Sequence, residues 1–222
     1  MIPARMGSQR LKKKNLAPLA GIPLIRRAVR RCHAAGCFDR IVVNSENVEF
    51  REHALAEGAE FHQRPDWLGG HDATSEDFVG EFMRAHPCER VYQVHSIAPL
   101  ASADHIRRFV EYGEGGELDT VLSCVEEQIE CAMGGEPVNF TFDSKTNSQE
   151  LPPLQRITWS LTSWTPSVFL EAQDAGRCAT YAGRVGIMPL DRWSGHVIKT
   201  QQDLDIAEAL LSHLGDGPQF GG

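Results

Sequence analysis

Short apolar runs alternate with segments of helical period along almost the whole chain, and no other feature of the sequence limits the fold as tightly. Met1–Ala4, Arg40–Asn44, Ala59–His62, Arg90–His95, Thr120–Val125 and Arg184–Met188 read as strands. Helices fit between them: from Pro23, which suits a first helical turn, to Ala35; Val48–Glu57; Thr74–Ala85; Ala103–Tyr112; Pro166–Gln173; and Gln202–Leu214. Gly36 and Gly58 are stop signals, and Thr74 with acidic residues after it is a start signal. Strands that alternate with helices predict right-handed crossovers and a mostly parallel sheet, covered on both faces as a three-layer α/β/α domain. A chain of 222 residues, 41% hydrophobic, suits one such domain.

Three stretches depart from that rhythm. Residues 129–165 are polar and turn-rich, with Pro152-Pro153 and two tryptophans, Trp159 and Trp164. They read as an inserted arm with short strands, and the paired tryptophans suit a homodimer interface. The tail Gly215–Gly222 reads as frayed. The first strand has four residues, short for a central strand, so it reads either as clipped or as beginning upstream of Met1.

The remaining composition narrows the class. The apolar runs fall well short of a membrane span, which argues against a membrane protein. Six cysteines lie scattered, with no C-x-x-C, as reduced thiols of a cytoplasmic protein would. A net charge of −8 excludes a general nucleic-acid binder. The charge is unevenly placed: residues 1–38 carry nine of the 22 cationic side chains and none of the 30 acidic ones. A cationic opening on an acidic body suits a small, highly charged anion. Within it, Arg26–Arg31 reads as a solvated helix face and Arg5–Lys14 as the anion site.

The loop between the first strand and the first helix is the sharpest local signal: Ile2-Pro3-Ala4-Arg5-Met6-Gly7-Ser8-Gln9-Arg10-Leu11-Lys12-Lys13-Lys14-Asn15. Gly7 lets backbone amides approach a phosphate and Ser8 adds a hydroxyl. Arg5 offers a planar fork and Lys14 a point charge. The loop leaves a strand's carboxyl end, where α/β domains bind ligands. It is neither a Walker loop nor a G-x-G-x-x-G turn.

This segment, with the following Leu16-Ala17-Pro18-Leu19-Ala20-Gly21-Ile22-Pro23-Leu24-Ile25, resembles the opening of the acylneuraminate (CMP-sialic acid synthetase-like) cytidylyltransferases. The likeness continues at Gly58-Ala59-Glu60, Arg64-Pro65, Asp72–Asp77, Ala98-Pro99-Leu100, Ser148–Pro153 and Thr200–Leu204. The resemblance implies a Rossmann-like nucleotidyltransferase that moves CMP from CTP to an acidic sugar, sialic acid or a related nonulosonic acid, and releases pyrophosphate. It also implies dimerisation through the arm. Carried over by position, Arg5 and Lys14 hold the triphosphate; Ala4, Gly7 and Ser8 form its loop; Asn15 contacts the nucleotide. Arg64 approaches the cytosine, with Ser75 near the base or ribose. Gln149 and Arg156 reach toward the sugar.

Three departures from the pattern bear on chemistry. Gln-Pro-Thr-Ser-Pro-Leu-Arg reads here as His95-Ser96-Ile97-Ala98-Pro99-Leu100-Ala101, which puts a histidine at the ligand and removes the final arginine. The acidic end of the second strand reads Val43-Asn44-Ser45-Glu46, one carboxylate fewer. Asp-Ile-Asp-Thr, whose carboxylates hold Mg²⁺ in the family, reads Val197-Ile198-Lys199-Thr200. Mg²⁺ stays the candidate cofactor without its usual ligands; Asp203 and Asp205 are the nearby carboxylates, and Lys199 is a candidate to neutralise phosphate charge itself. A relative that binds nucleotide without transferring it is the alternative. A glycosyltransferase-like or mononucleotide-binding regulator is the alternative from another class, and the absence of Asp-x-Asp at a strand end weighs against the former.

Overall fold

The computed structural model describes residues 1–8, 10–70 and 72–222, and strand–helix alternation is its framework. The sheet strands are β1 (Ile2–Pro3), β2 (Val42–Ser45), β3 (Glu60–Gln63), β4 (Val91–Val94), β5 (Thr120–Glu127), β6 (Leu154–Trp164) and β7 (Val185–Leu190). The helices are α1 (Leu24–Ala35), α2 (Glu49–Ala56), α3 (Ser75–Ala85), α4 (Ala103–Glu114), α5 (Pro166–Asp174) and α6 (Gln201–Leu214). Their starts follow from local chemistry. Thr74, Ser102 and Thr200 each close a capping box, with Asp77, His105 and Asp203 respectively. Pro23 lies one position outside α1 and its fixed φ leads into the helix. Gly36 ends α1 in the left-handed region at φ 64°, where a side chain would be strained.

β1, β2 and β3 pair in parallel, as do β5 and β7. β6 runs antiparallel between β4 and β5. The two halves join where the Met1 ammonium donates to Tyr92 O (2.7 Å) and Val94 N donates to Met1 O (3.0 Å). The strand order is therefore β3-β2-β1-β4-β6-β5-β7. Adjacent residues face opposite layers: Val43 packs with Ile25, Val29, Phe50 and Phe109 of α1, α2 and α4, and Val42 with Val79, Phe82 and Phe169 of α3 and α5. This is the three-layer α/β/α architecture. α6 packs across one end, with Leu204 and Leu211 against Leu19, Leu24 and Phe220.

Three expectations change. The irregular stretch ends earlier than residue 165: a small hairpin (Ala132–Met133 with Glu136–Pro137) and a turn (Ser148–Glu150) give way at Leu154 to β6, an 11-residue core strand. Its buried positions include Thr158, Ser160, Thr162 and Ser163, so the strand lacks the apolar signature that marks its neighbours. Trp164 belongs to the core, its Nε1 donating to Thr180 O (3.0 Å), while Trp159 is 37% exposed at a bulge. Second, the tail is docked rather than frayed. Phe220 is buried, and Asp216 takes both Arg27 Nη1 (2.8 Å) and Nη2 (2.6 Å). Third, Arg26–Arg31 is not a solvated face: Arg27 and Arg31 are wholly buried, and Arg26 and Arg30 share Glu57.

Candidate active site

The carboxyl ends of β1, β3 and β4 meet in one place, and the residues after them build a pocket. Ala4, Arg5, Ser8, Lys14, Asn15, Arg64, Ser75 and His95 line a cavity of about 340 Å³, together with Phe78, Leu68 and Ile97. Gly7 is exposed beside it, with only open space where a Cβ would stand. Gln9 lies outside the described residues.

Polar contacts fix the shape of this pocket. Glu46 Oε1 accepts from Met6 N (2.8 Å) and its Oε2 accepts from Arg64 Nη2 (2.9 Å), so one carboxylate ties the loop to β3's end. Arg64 Nη2 also donates to Ala4 O (2.9 Å), and its guanidinium lies 4.8 Å over the Phe78 ring. Burial holds the Arg64 pKa below its usual value, with Glu46 opposing. Arg64 thus forms the pocket floor, and its fork is largely engaged by protein. Gly69 makes room for Glu46: a Cβ there would sit 2.4 Å from Glu46 Cγ. Asn15 is a strap, donating from Nδ2 to Arg5 O (3.0 Å) and accepting at Oδ1 from Ser96 Oγ (2.9 Å). Ser8 N donates to Met6 O (2.9 Å), which leaves the Ser8 hydroxyl rather than its amide toward a ligand.

Charge is concentrated at one edge. Burial first, then Arg10, Arg5 and Lys199, depress the Lys14 pKa, while Asp203 opposes. Several cations with little opposing charge between them are what an anion would relieve. His95 is pushed down to about 4, by burial first and then by Lys14, so it is a neutral imidazole near pH 7.

His95 and Ile97 also border a second cleft of about 1030 Å³, lined by Glu127, Arg156, Trp159, Arg192, Trp193, His196, Lys199 and neighbours. Arg156 Nε donates to Glu127 Oε1 (2.6 Å). The Arg192 guanidinium stacks 5.0 Å from the Trp193 ring, and His196 Nε2 donates to Asp203 O (2.7 Å). The structure thus brings Arg5, Lys14, His95, Lys199 and Arg156 to one continuous depression, but not Gln149. Gln149 lies on the exposed turn, its carbonyl accepting from Gln128 Nε2 (2.9 Å), and lines neither cavity. Arg192, Trp193 and His196 were not singled out in the sequence, and Trp159 was read there as an interface residue rather than as part of this cleft. The segment 191–196 follows the carboxyl end of β7, and that position was the available signal.

The residues at the positions that the resemblance assigns to metal ligands do not suit a protein-held Mg²⁺. Val197 and Lys199 carry no side-chain oxygen. Asp203 Oδ2 accepts from Lys199 N (2.9 Å), Thr200 N (2.8 Å) and Thr200 Oγ1 (2.9 Å), and Asp205 Oδ1 accepts from Gln201 Nε2 (2.8 Å). Both nearby carboxylates serve the start of α6. Among the described residues no group of three His, Cys, Asp or Glu is arranged to hold a metal ion.

A family model described as "Cytidylyltransferase" matches residues 1–139, more than half of the chain. The chain belongs to the cytidylyltransferase family. It is similar to an N-acylneuraminate cytidylyltransferase of Streptococcus agalactiae, 31% identical over 129 residues, which make up 57% of this chain and 31% of that protein. It is also similar to a pseudaminic acid cytidylyltransferase of Campylobacter jejuni, 42% identical over 59 residues, 27% of this chain and 25% of that protein. The matched stretches thus span under a third of those relatives' length. Among solved structures, a CMP:2-keto-3-deoxy-manno-octonic acid synthetase complexed with CTP superposes with a TM-score of 0.72 at 14% identity, covering 96% of this chain and 98% of the other. That likeness shows the cytidylyltransferase fold.

Proposed function

We propose that this cytidylyltransferase moves CMP from CTP to an acidic sugar of the nonulosonic type and releases pyrophosphate. The observation that carries the reading is the seam between the two cavities. Lys14, with Arg5 and Arg10 near it, faces Lys199 from the other side, and His95 borders both spaces. The smaller pocket takes the nucleotide. The larger cleft, with Arg156 and Arg192 in its wall, takes a substrate that carries a carboxylate.

In this reading a sugar oxygen attacks the α-phosphorus, forming one P–O bond as the bond to pyrophosphate breaks. Negative charge builds on the phosphoryl oxygens and the departing pyrophosphate. Arg5 and Lys14 stabilise that charge, pre-positioned by the Asn15 and Glu46 ties, so they need no reorganisation during reaction. Lys199 supplies charge where the family has metal ligands. Mg²⁺ would then arrive with the nucleotide's phosphates rather than on a carboxylate of this chain. His95, neutral, orients ligand by hydrogen bonding and adds no charge.

Calorimetric titration with CTP tests the clamp. Arg5→Ala and Lys14→Ala each remove charge-assisted contacts worth about 1.5–3 kcal/mol, so affinity falls at least tenfold in each variant. Unchanged affinity in both would remove the loop from the nucleotide site.

A further inference from the structure

Arg31 is a whole positive charge in the core of α1's inner face, with no exposed surface and, among the described residues, no carboxylate paired with it. Its contacts are backbone carbonyls of a single loop. Nη1 donates to Ala98 O (2.7 Å) and Ala101 O (2.5 Å), and Nη2 reaches His95 O (3.4 Å). The loop is two successive tight turns, with Ala98 N donating to His95 O (3.2 Å) and Ala101 N to Ala98 O (3.3 Å). Its carbonyls therefore point the same way and converge on the guanidinium, as at a helix carboxyl end. Burial, with Arg27 adding to it, pushes the Arg31 pKa down to about 10, so the side chain stays charged near neutral pH.

The same loop carries polar links between the halves of the site. His95 borders both cavities. Ser96 Oγ donates to Asn15, which holds Arg5 O of the phosphate loop. Ile97 O accepts from Ile198 N (2.8 Å), next to Lys199. The resembling pattern ends this loop in an arginine, and here position 101 is alanine, fully buried, its carbonyl on the Arg31 fork.

We propose that Arg31 is a positioning residue of the site: from α1 it supplies the guanidinium that the pattern places at position 101, and so holds His95, the Asn15 strap and the Lys199 segment in register. This extends the proposed nucleotide site and rests on it only for the affinity readout.

The experiment compares the full chain, Arg31→Met and Arg31→Met/Ala101→Arg, using CTP titration and the NMR titration of the His95 imidazole, well below each protein's melting temperature. In Arg31→Met the CTP dissociation constant rises about tenfold, as for a coupling residue remote from the ligand. The His95 titration moves up toward its ordinary range as the loop loosens and admits water. The double variant recovers most of both. Should Arg31→Met not fold, Arg31→Lys, which keeps charge and loses the fork, is read the same way. CTP affinity within twofold and an unchanged His95 titration in the single variant would overturn the proposal, as would a double variant no better than the single. If the unmodified chain binds no CTP, the nucleotide reading fails, while the His95 titration and its rescue still decide the role of Arg31.

Discussion

At the residue scale, most side chains picked out by the opening motif line the pocket, yet several are engaged by protein rather than free for a ligand. Asn15 is consumed by Arg5 O and Ser96, and Arg64 by Ala4 O and Glu46. Glu46 read only as the remnant of a more acidic strand end; in the structure it joins the loop after β1 to Arg64. Replacing one partner of such a pair leaves the other buried and uncompensated. Glu46→Gln is therefore expected to cost about 3 kcal/mol in urea unfolding and to weaken CTP binding through Met6 N. A loss below about 0.5 kcal/mol, within the range of neutral surface changes, would show that the pair does not hold the loop. The motif was legible because its residue types suit phosphate. The ties were not, because Asn15 meets Ser96 across 81 positions and Met6 meets Glu46 across 40, and only the fold brings them together.

At the element scale, the alternation located six of the seven strands' neighbourhoods and all six helices to within a few residues, because caps and glycine stops are local. β6 escaped because its buried residues are mostly Ser and Thr, which pair with one another, as in Ser123 Oγ and Thr158 Oγ1 (3.0 Å), instead of advertising hydrophobicity. The basic run of α1 misled in the same way: composition shows charge, and only packing shows that Arg27 and Arg31 turn inward. The segment from 129 to 153 keeps its character as an arm. Ile129, Met133, Val138 and Phe142 are all more than half exposed on it, and Phe142 packs edge-on to Phe140 (5.5 Å). We propose that a second copy covers this cluster in a homodimer, as the resemblance implies. Sedimentation at micromolar concentration should give a dimer, and Met133→Asp with Phe142→Asp should give a monomer. A monomeric unmodified protein would refute this.

At the scale of the whole molecule, the two cavities and the charge between them make one arrangement. The sheet carries the loop after β1, Glu46 and His95 on neighbouring strand ends, and the segment before α6 brings Lys199 to the larger cleft. The sequence read as cationic at its start and acidic beyond; folded, the site's cations come from both parts, Arg5 and Lys14 from the first and Arg156, Arg192 and Lys199 from the second. The pocket could be read in advance from one motif, while the large cleft could not, because its walls are drawn from residues 125–129, 156–159 and 192–210. The proposed activity is transfer, which binding alone does not meet. The direct measurement is pyrophosphate release from CTP with and without a nonulosonic acid in the presence of Mg²⁺. Release is expected to require the acidic sugar and to fall by at least tenfold in Lys199→Ala. CTP binding with no pyrophosphate release from any acidic sugar would contradict it.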